Sequence, residues 1–159
     1  MNANLSDNLF KRGVEYMTQQ IYTDAAMCFE EAAKLGHMTA QYNIAYCYEN
    51  GLGVNQDYTN AFIWYLSSAL QGEVDAMANT ALYYYLGRGV EQNYDLAFVW
   101  WEKAHNLGCG KATYNLGVCY RDGCGVEQNL LMAKSLFIEA MELGHHMASQ
   151  ALNDLFRIY

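Results

Sequence analysis

Proline, long apolar runs and clustered basic residues are all missing from this chain of 159 residues. No stretch approaches the ~20 apolar residues that a membrane-spanning helix requires, so we expect no membrane segment. The N-terminal MNANLSDNLFKRGVEYM lacks the basic start and apolar core of a secretory signal, which favours a cytoplasmic location. The net charge of −8, with scattered Lys and Arg, argues against nucleic-acid binding and suits either solubility or a basic partner.

Cysteines occur five times without any CxxC pair. They are Cys28, Cys47, Cys109, Cys119 and Cys124. An odd number without paired spacing argues against both a disulfide framework and a structural zinc site. We therefore expect free thiols, with Cys47 and Cys119 as small core residues, and neither a metal nor a cofactor.

A period of 36 residues runs through the chain. GLGV at 51–54 returns as GRGV at 87–90 and as GCGV at 123–126. A second glycine series with the same period is Gly36, Gly72, Gly108 and Gly144. Periods between 20 and 50 residues are typical of stacked arrays, in which one unit cannot bury its apolar face alone. A dinucleotide-binding loop would need a third glycine and a preceding strand, and it would occur once, so we interpret these glycines as architectural.

Two helices are predicted in each unit. Residues 39–50 place Ala40, Ile44, Ala45 and Tyr48 at helical spacing, and residues 57–71 show a similar pattern. The glycines then end the helices, where a reversing chain often needs a positive φ. Small residues recur where two helices must approach closely. They are Ala45, Ala81 and Gly117 on the first helices, and Ala61, Ala97 and Ala133 on the second.

The repeated positions follow the pattern A…LG..Y..G.GV….A..WY.KA…G. Its residues are Ala112, Leu116, Gly117, Tyr120, Gly123, Gly125 and Val126, and also Ala97, Trp100, Trp101, Lys103, Ala104 and Gly108. This pattern resembles the Sel1-like repeat, a family related to the tetratricopeptide repeat, and the resemblance covers about residues 39–145. It implies an all-α fold, a right-handed α-α superhelix (solenoid) of antiparallel helix pairs. We expect about four repeats and a C-terminal capping helix.

The resemblance also suggests how the chain is divided. We predict a single repeat domain over residues 1–159, beginning with a tetratricopeptide-like capping repeat at 5–37 that lacks the GxGV pair. Sel1-like repeats follow at 38–73, 74–109 and 110–145, and residues 146–159 form the capping helix. A cysteine-rich branch of the family joins adjoining helices through cysteines eight apart. The corresponding positions here are His105 and Thr113, so no such disulfide is expected.

Function follows from the resemblance more than from any motif. The family implies a non-catalytic scaffold that binds another protein or peptide in a concave groove lined by the first helices. A second hypothesis is a bacterial immunity protein that neutralises a toxin or secreted effector. An enzyme using His105 or Cys109 is a third, but no pair or triad of residues has catalytic spacing. We expect no enzyme, and either a monomer or a weak homodimer formed through the ends of the array.

Ten residues are predicted to contact the partner. Asn43, Asn79 and Asn115 recur at the 36-residue period, and the shorter first unit places Lys11 at their position. Their side chains could bond an extended peptide backbone or could tie neighbouring helices together, and the sequence leaves both open. Aromatic and basic side chains complete the set, because such residues anchor many interfaces. They are Phe10, Tyr42, Tyr46, Tyr85, Tyr114 and Arg121.

Overall fold

The structure is a computed structural model that describes the backbone of residues 2–157 and the side chains of residues 4–155. These residues form nine α-helices and no strand, which confirms the all-α repeat fold expected from the sequence. None of the helices in this part of the chain is long and apolar enough for a membrane crossing. The helices are α1 (Asn2–Thr18), α2 (Tyr22–Lys34), α3 (Met38–Asn50), α4 (Tyr58–Leu70), α5 (Val74–Leu86), α6 (Tyr94–His105), α7 (Gly110–Asp122), α8 (Leu130–Glu142) and α9 (Ala148–Arg157).

Polar side chains begin the second helix of three successive repeats. The carboxylate of Asp57 accepts hydrogen bonds from the backbone N–H groups of Thr59 and Asn60. Asn93 and Asn129 cap α6 and α8 in the same way, each 36 residues further along. The first N–H groups of a helix have no partner inside the helix, so each cap satisfies groups that would otherwise need water.

The GLGV segment is a turn and not a ligand loop. Gly51 ends α3 in the left-handed region, with φ of 68°, and its N–H bonds the carbonyl of Cys47. Gly53 also has a positive φ, of 74°, and it packs directly on the backbone of Tyr22. Only glycine adopts this conformation freely and lets another backbone come so close. The predicted turn is therefore confirmed, with its physical reason.

The first repeat turns without this glycine pair. Between α1 and α2, Gln20 takes the left-handed conformation with φ of 61°, and Ile21 N–H bonds the carbonyl of Tyr16 at 2.9 Å. A non-glycine residue pays a steric cost in that region, although amide side chains tolerate it better than branched ones. The short connection is thus closed by a single left-handed residue.

The contacts divide the chain into two compact units. Unit 1 comprises Met1–Ala76 with Arg88–Val90, and unit 2 comprises Met77–Gly87 with Glu91–Tyr159. The division falls within α5 and the loop that follows it. The single repeat domain and its predicted internal boundaries stay a prediction.

Unit 1 is held by a core in which most side chains are small. In it α1 packs on α2, α2 on α3 and α3 on α4. The buried cluster contains Ala25, Ala26, Phe29, Ala32, Ala33, Ala40, Ile44 and Cys47. Because alanine occupies little volume, the helices come close together and enclose the larger Phe29 and Ile44 side chains. The predicted contact positions Ala45 and Ala61 are fully buried.

Unit 2 combines small residues with larger rings. Ala81, Ala97 and Ala133 are fully buried, as predicted. Trp101 is 2 % exposed, and its indole N–H donates to the carbonyl of Ala78 at 3.2 Å. The two positions at which a cysteine-rich branch of Sel1-like repeats has a disulfide are joined here by a hydrogen bond. His105 Nδ1 lies 2.9 Å from Thr113 Oγ1, linking α6 to α7.

Two thiols are expected to resist modification while the protein is folded. Cys47 and Cys119 are fully buried, and burial raises the pKa of Cys47 to about 11 and that of Cys119 to about 12. The thiolate is the reacting form, so at pH 8 its fraction falls roughly a hundredfold for Cys47 and a thousandfold for Cys119 relative to an ordinary thiol. In maleimide labelling followed by mass spectrometry, half-buried Cys109 should be modified before Cys47 and Cys119. Comparable rates at all three sites would contradict the core assignment.

Candidate protein-binding surface

An open pocket of about 400 Å³ lies between α1 and α3 in unit 1, and we call it the Phe29 pocket. Its lining residues are Val14, Met17, Thr18, Phe29, Tyr42, Asn43 and Tyr46. None of the seven carries a charge, and most of the exposed wall is apolar. Phe29 is 1 % exposed and forms the inner wall, whereas Tyr46 is 44 % exposed and stands at the opening. The pocket therefore presents apolar surface to solvent.

The pocket brings together three of the ten residues predicted from the sequence, namely Tyr42, Asn43 and Tyr46. The sequence analysis missed its other wall. That wall consists of Val14, Met17 and Thr18 on α1, together with Phe29 from α2. The α1 residues follow one another at intervals of three and one, so helical spacing counted from Lys11 along α1 would have identified them.

Gly13 explains how deeply the Phe29 ring is seated. A Cβ atom added at Gly13 would lie 2.6 Å from Cδ1 and Cε1 of Phe29, closer than carbon atoms approach. The absence of a side chain thus lets the ring pack directly against the backbone of α1. Gly13 is buried, and its helical position has no need of a positive φ. Its role is steric.

The second repeat fills the equivalent positions differently. Ala45, Glu49 and Tyr65 stand in α3 and α4 where Gly13, Met17 and Phe29 stand in α1 and α2. The Tyr65 hydroxyl donates to Oε2 of Glu49 at 2.8 Å, and its ring is fully buried. A phenylalanine opposite a methionine has no such hydrogen bond and leaves apolar walls. Met17 and Phe29 therefore give the Phe29 pocket apolar walls, and Gly13 makes room for the Phe29 ring.

The three asparagines of the predicted ladder differ in their surroundings. Asn79 is 8 % exposed, and its Oδ1 accepts a hydrogen bond of 2.6 Å from Nζ of Lys111, which joins α5 to α7. Asn43 and Asn115 are half-buried. Among the side chains of residues 4–155, neither of these two amides has a hydrogen-bond partner within the protein. At Asn79 the amide ties helices together, and the ligand-binding role of the ladder stays a prediction.

Two of the predicted aromatic residues stack on histidines. Phe10 lies parallel to His37 with ring centroids 4.5 Å apart, and it packs against the core of unit 1. Tyr114 stacks on His145 at 4.3 Å in unit 2. Burial is the main cause that lowers the pKa of His145 below its ordinary value, so the imidazole is neutral at pH 7. Both aromatic rings are half-buried, and each already has a partner ring.

Tyr85 is enclosed by other rings. Its centroid lies 5.2 Å from that of Tyr94 and 5.4 Å from that of Trp101. Burial, reinforced by a hydrogen bond with Cys124, raises the pKa of the Tyr85 hydroxyl to about 12. The side chain stays protonated at physiological pH, and most of its area is used inside unit 2.

The two predicted basic residues differ in whether an acidic side chain pairs with them. Lys11 is exposed on α1 in unit 1. Arg121, in unit 2, forms a two-point ion pair with Asp122, with Nε–Oδ1 and Nη2–Oδ2 distances of 2.7 Å. The neighbouring carboxylate neutralises this guanidinium, so it is a weaker anchor for an acidic partner group than the sequence suggests.

No group of three or more His, Cys, Asp or Glu side chains in the described part of the chain is arranged to hold a metal ion. The five cysteines are free thiols. Of the pockets described, the Phe29 pocket has the most apolar lining.

A family model matches four successive segments of the chain. The Sel1 repeat model matches residues 3–37, 39–73, 74–109 and 110–145. No curated protein sequence matches the chain. A protective antigen present in uropathogenic Escherichia coli strains and displaying an SLR fold is similar, with 29% identity and a TM-score of 0.89. The alignment covers 95% of this chain and 33% of that one.

Two further solved structures were compared with the chain, one of them similar and the other distant. A Sel1 repeat protein from Oxalobacter formigenes is 29% identical with a TM-score of 0.81, over 90% of this chain and 59% of that one. This chain thus spans about a third and about three fifths of these two relatives. An immunity protein from Pseudomonas aeruginosa is 18% identical with a TM-score of 0.46, over 90% of this chain and 67% of that one. That likeness is too low to bear on function.

Proposed function

Because the chain belongs to the Sel1 repeat family, whose members are protein-interaction scaffolds, we propose that it binds a segment of a partner protein at the Phe29 pocket. The proposal narrows the groove expected from the sequence to one place on unit 1. It treats the protein as a non-catalytic scaffold. Tyr42, Asn43 and Tyr46 are the predicted contact residues that it retains.

One observation carries this proposal, which is an open apolar pocket with an unpaired amide in its wall. Apolar side chains that face solvent give favourable free energy when a partner covers them, about 25 cal/mol for each Å² removed from water. The half-buried amide of Asn43 offers one acceptor and one donor group beside that surface. Apolar area with few convergent polar groups is typical of a binding site.

Photo-crosslinking tests the proposal without knowledge of the partner. A photoreactive phenylalanine analogue would replace Tyr46 at the pocket opening or, as a control, Met27, which is 57 % exposed on α2 in the same unit. We expect a discrete crosslinked protein from position 46 in cells of the native source, and a much weaker product from position 27. Stronger crosslinking at position 27 would contradict the proposed surface.

Affinity measurements with the crosslinked partner provide the quantitative test. Replacing Asn43 and Tyr46 together by alanine should weaken binding at least tenfold, because truncation removes an exposed contact ring and the one side-chain amide in the wall. The double variant Met27→Ala/Ile63→Ala removes exposed side chains of the second helices instead and should bind as the wild type does. Equal affinity of the wild type and the pocket variant would refute the proposal.

The partner's identity separates the two roles that the sequence leaves open. A toxin as the crosslinked protein, together with rescue of growth when both are co-expressed, would favour the neutralising role. Any other partner would favour the general scaffold role. Both outcomes use the same surface.

A further inference from the structure

We infer that the Phe29 pocket selects a partner segment that inserts one uncharged apolar side chain and carries basic residues beside it. This inference rests on the proposed function and adds the chemistry of the occupant. It depends on two observations in unit 1, the apolar residues that line the pocket and the net negative charge of the unit as a whole. A basic, apolar segment of another protein is the occupant that satisfies both.

The first observation concerns the inserted side chain. At the positions where the second repeat has a hydrogen-bonded pair, Tyr65 and Glu49, the first repeat has Phe29 and Met17. Both members of the polar pair are thus apolar in the first repeat. A charged side chain placed there would lose its hydration without meeting an opposite charge, because none of the lining residues is ionised. An aromatic or aliphatic side chain loses nothing by the transfer and removes apolar surface from water.

The available space limits the size of that side chain. A volume of about 400 Å³ lies near the lower end of the roughly 300–1,000 Å³ found for small-molecule pockets. Such a space suits a side chain or two and not a large cofactor. The amide of Asn43 lies in the same wall, where it can bond the main chain of the inserted residue. The pocket therefore favours an anchor residue within a peptide.

The second observation concerns charge. Outside its uncharged pocket, unit 1 contains nine acidic side chains and four basic ones. The basic residues are Lys11, Arg12, Lys34 and Arg88. Lys34 pairs with Glu30 at 2.8 Å, which leaves eight acidic side chains (9 − 1) against three basic ones (4 − 1). Opposite charge on a partner increases the rate of encounter and selects against acidic competitors. Lysine or arginine beside the anchor would be attracted by the net negative charge of unit 1.

Three short peptides test the inference directly. Acetylated and amidated Lys-Gly-Phe-Gly-Lys has both features, Lys-Gly-Ser-Gly-Lys lacks the anchor, and Glu-Gly-Phe-Gly-Glu reverses the charge. The ¹³C-methyl NMR signal of Met17 would report binding at the pocket. We expect the first peptide to bind tenfold to a hundredfold more tightly than the serine peptide, as burial of one large apolar side chain implies.

Salt concentration distinguishes the charge contribution from the anchor. The preference for lysine over glutamate flanks should shrink in about 1 M salt, where the Debye length is only about 3 Å. The preference for phenylalanine over serine should persist. Equal binding of the phenylalanine and serine peptides, or no shift of the Met17 signal, would overturn the inferred anchor. Equal binding of the two phenylalanine peptides at low salt would overturn the inferred charge preference.

A triple variant provides the test from the protein side. Gly13→Ala, Met17→Glu and Phe29→Tyr together install the second repeat's native residues in the first repeat. The variant should fold, because the equivalent residues Ala45, Glu49 and Tyr65 already pack together in α3 and α4, and it should lose at least tenfold in affinity for the phenylalanine peptide. Peptide-observed NMR measures this, since the Met17 signal is absent. Met17→Glu alone gives a second variant that leaves Gly13 and Phe29 intact.

A matched control lies in unit 2. Gly117 and Phe137 stand in the same steric relation as Gly13 and Phe29, with 2.6 Å between an added Cβ and the ring. Gly117→Ala/Phe137→Tyr should therefore perturb melting to a similar extent and leave peptide binding unchanged. Equal binding losses in the triple variant and this control would attribute the effect to stability and overturn the inference.

The inference and the proposed function can fail separately. If position 46 captures a partner but the three peptides bind alike, the pocket is a contact surface without the inferred selectivity. If the phenylalanine peptide binds at Met17 but no protein crosslinks at position 46, the selectivity stands and the proposed cellular role is wrong.

Discussion

Replacing Gly53 by alanine should destabilise the protein by about 4 kcal/mol, near the upper end of single-substitution effects. A methyl group at this position would overlap the backbone carbonyl of Tyr22, and because Cβ is fixed by the backbone, no side-chain rotation relieves the contact. The positive φ of 74° adds a second cost. For a chain of this length the melting temperature should fall by roughly 8–16 °C.

Gly51 provides the control, because it shares the conformation without the contact. Its φ is 68°, and an added Cβ would have its nearest neighbours at 3.6 Å, an ordinary distance. Gly51→Ala should therefore cost only about 1–2 kcal/mol for the left-handed conformation. Circular dichroism melting of both variants separates the cost of the close contact from the cost of the left-handed conformation. If they melted at the same temperature, the close contact between the loop and Tyr22 would not limit stability.

Truncating Trp101 to alanine should cost about 3–5 kcal/mol, as is typical when a buried large ring is removed from a core. The side chain is 2 % exposed, contacts the ring of Tyr85 and donates a hydrogen bond to the carbonyl of Ala78. All of these contacts lie in unit 2. Its removal leaves a cavity that the surrounding helices fill only in part.

Trp101→Phe distinguishes the cavity from the hydrogen bond. Phenylalanine occupies the same repeat position at Phe29 and Phe137, so the fold accepts it there. We expect this variant to lose about 1–2 kcal/mol, for the hydrogen bond and the smaller ring. Urea unfolding monitored by circular dichroism would give both values. A loss below about 1 kcal/mol for Trp101→Ala would contradict the core role of this residue.

The fold was predictable because a few residue types, such as the repeated glycines, fit only one structural role in it. A glycine that returns every 36 residues after an apolar helix has to supply a turn, and Gly51 and Gly53 have the expected positive φ. Helix bounds followed from the same spacing. Residues 39–50 and 57–71 were predicted as helices, and the structure has Met38–Asn50 and Tyr58–Leu70. Repetition multiplied each signal.

The site was harder to predict because its decisive contacts are not repeated. Lys111 bonds Asn79, but the positions one and two repeats earlier hold Asp75 and Thr39, so periodicity gives no indication of this pair. The Phe29 pocket likewise depends on how the first repeat departs from the others. Val14 and Met17 are aliphatic residues of α1, and they were missed because the sequence analysis selected amide, aromatic and basic side chains.

The contact between each glycine loop and an earlier backbone has a consequence for how the chain is made. Gly53 rests on Tyr22, and Gly125 rests on Tyr94, so in both units the support precedes the loop along the sequence. Proteins are synthesised from the N-terminus, and their early segments begin to fold first. During synthesis on the ribosome, each of these loops therefore emerges after the backbone segment that it contacts. The contacts can then form in the order in which the chain is made.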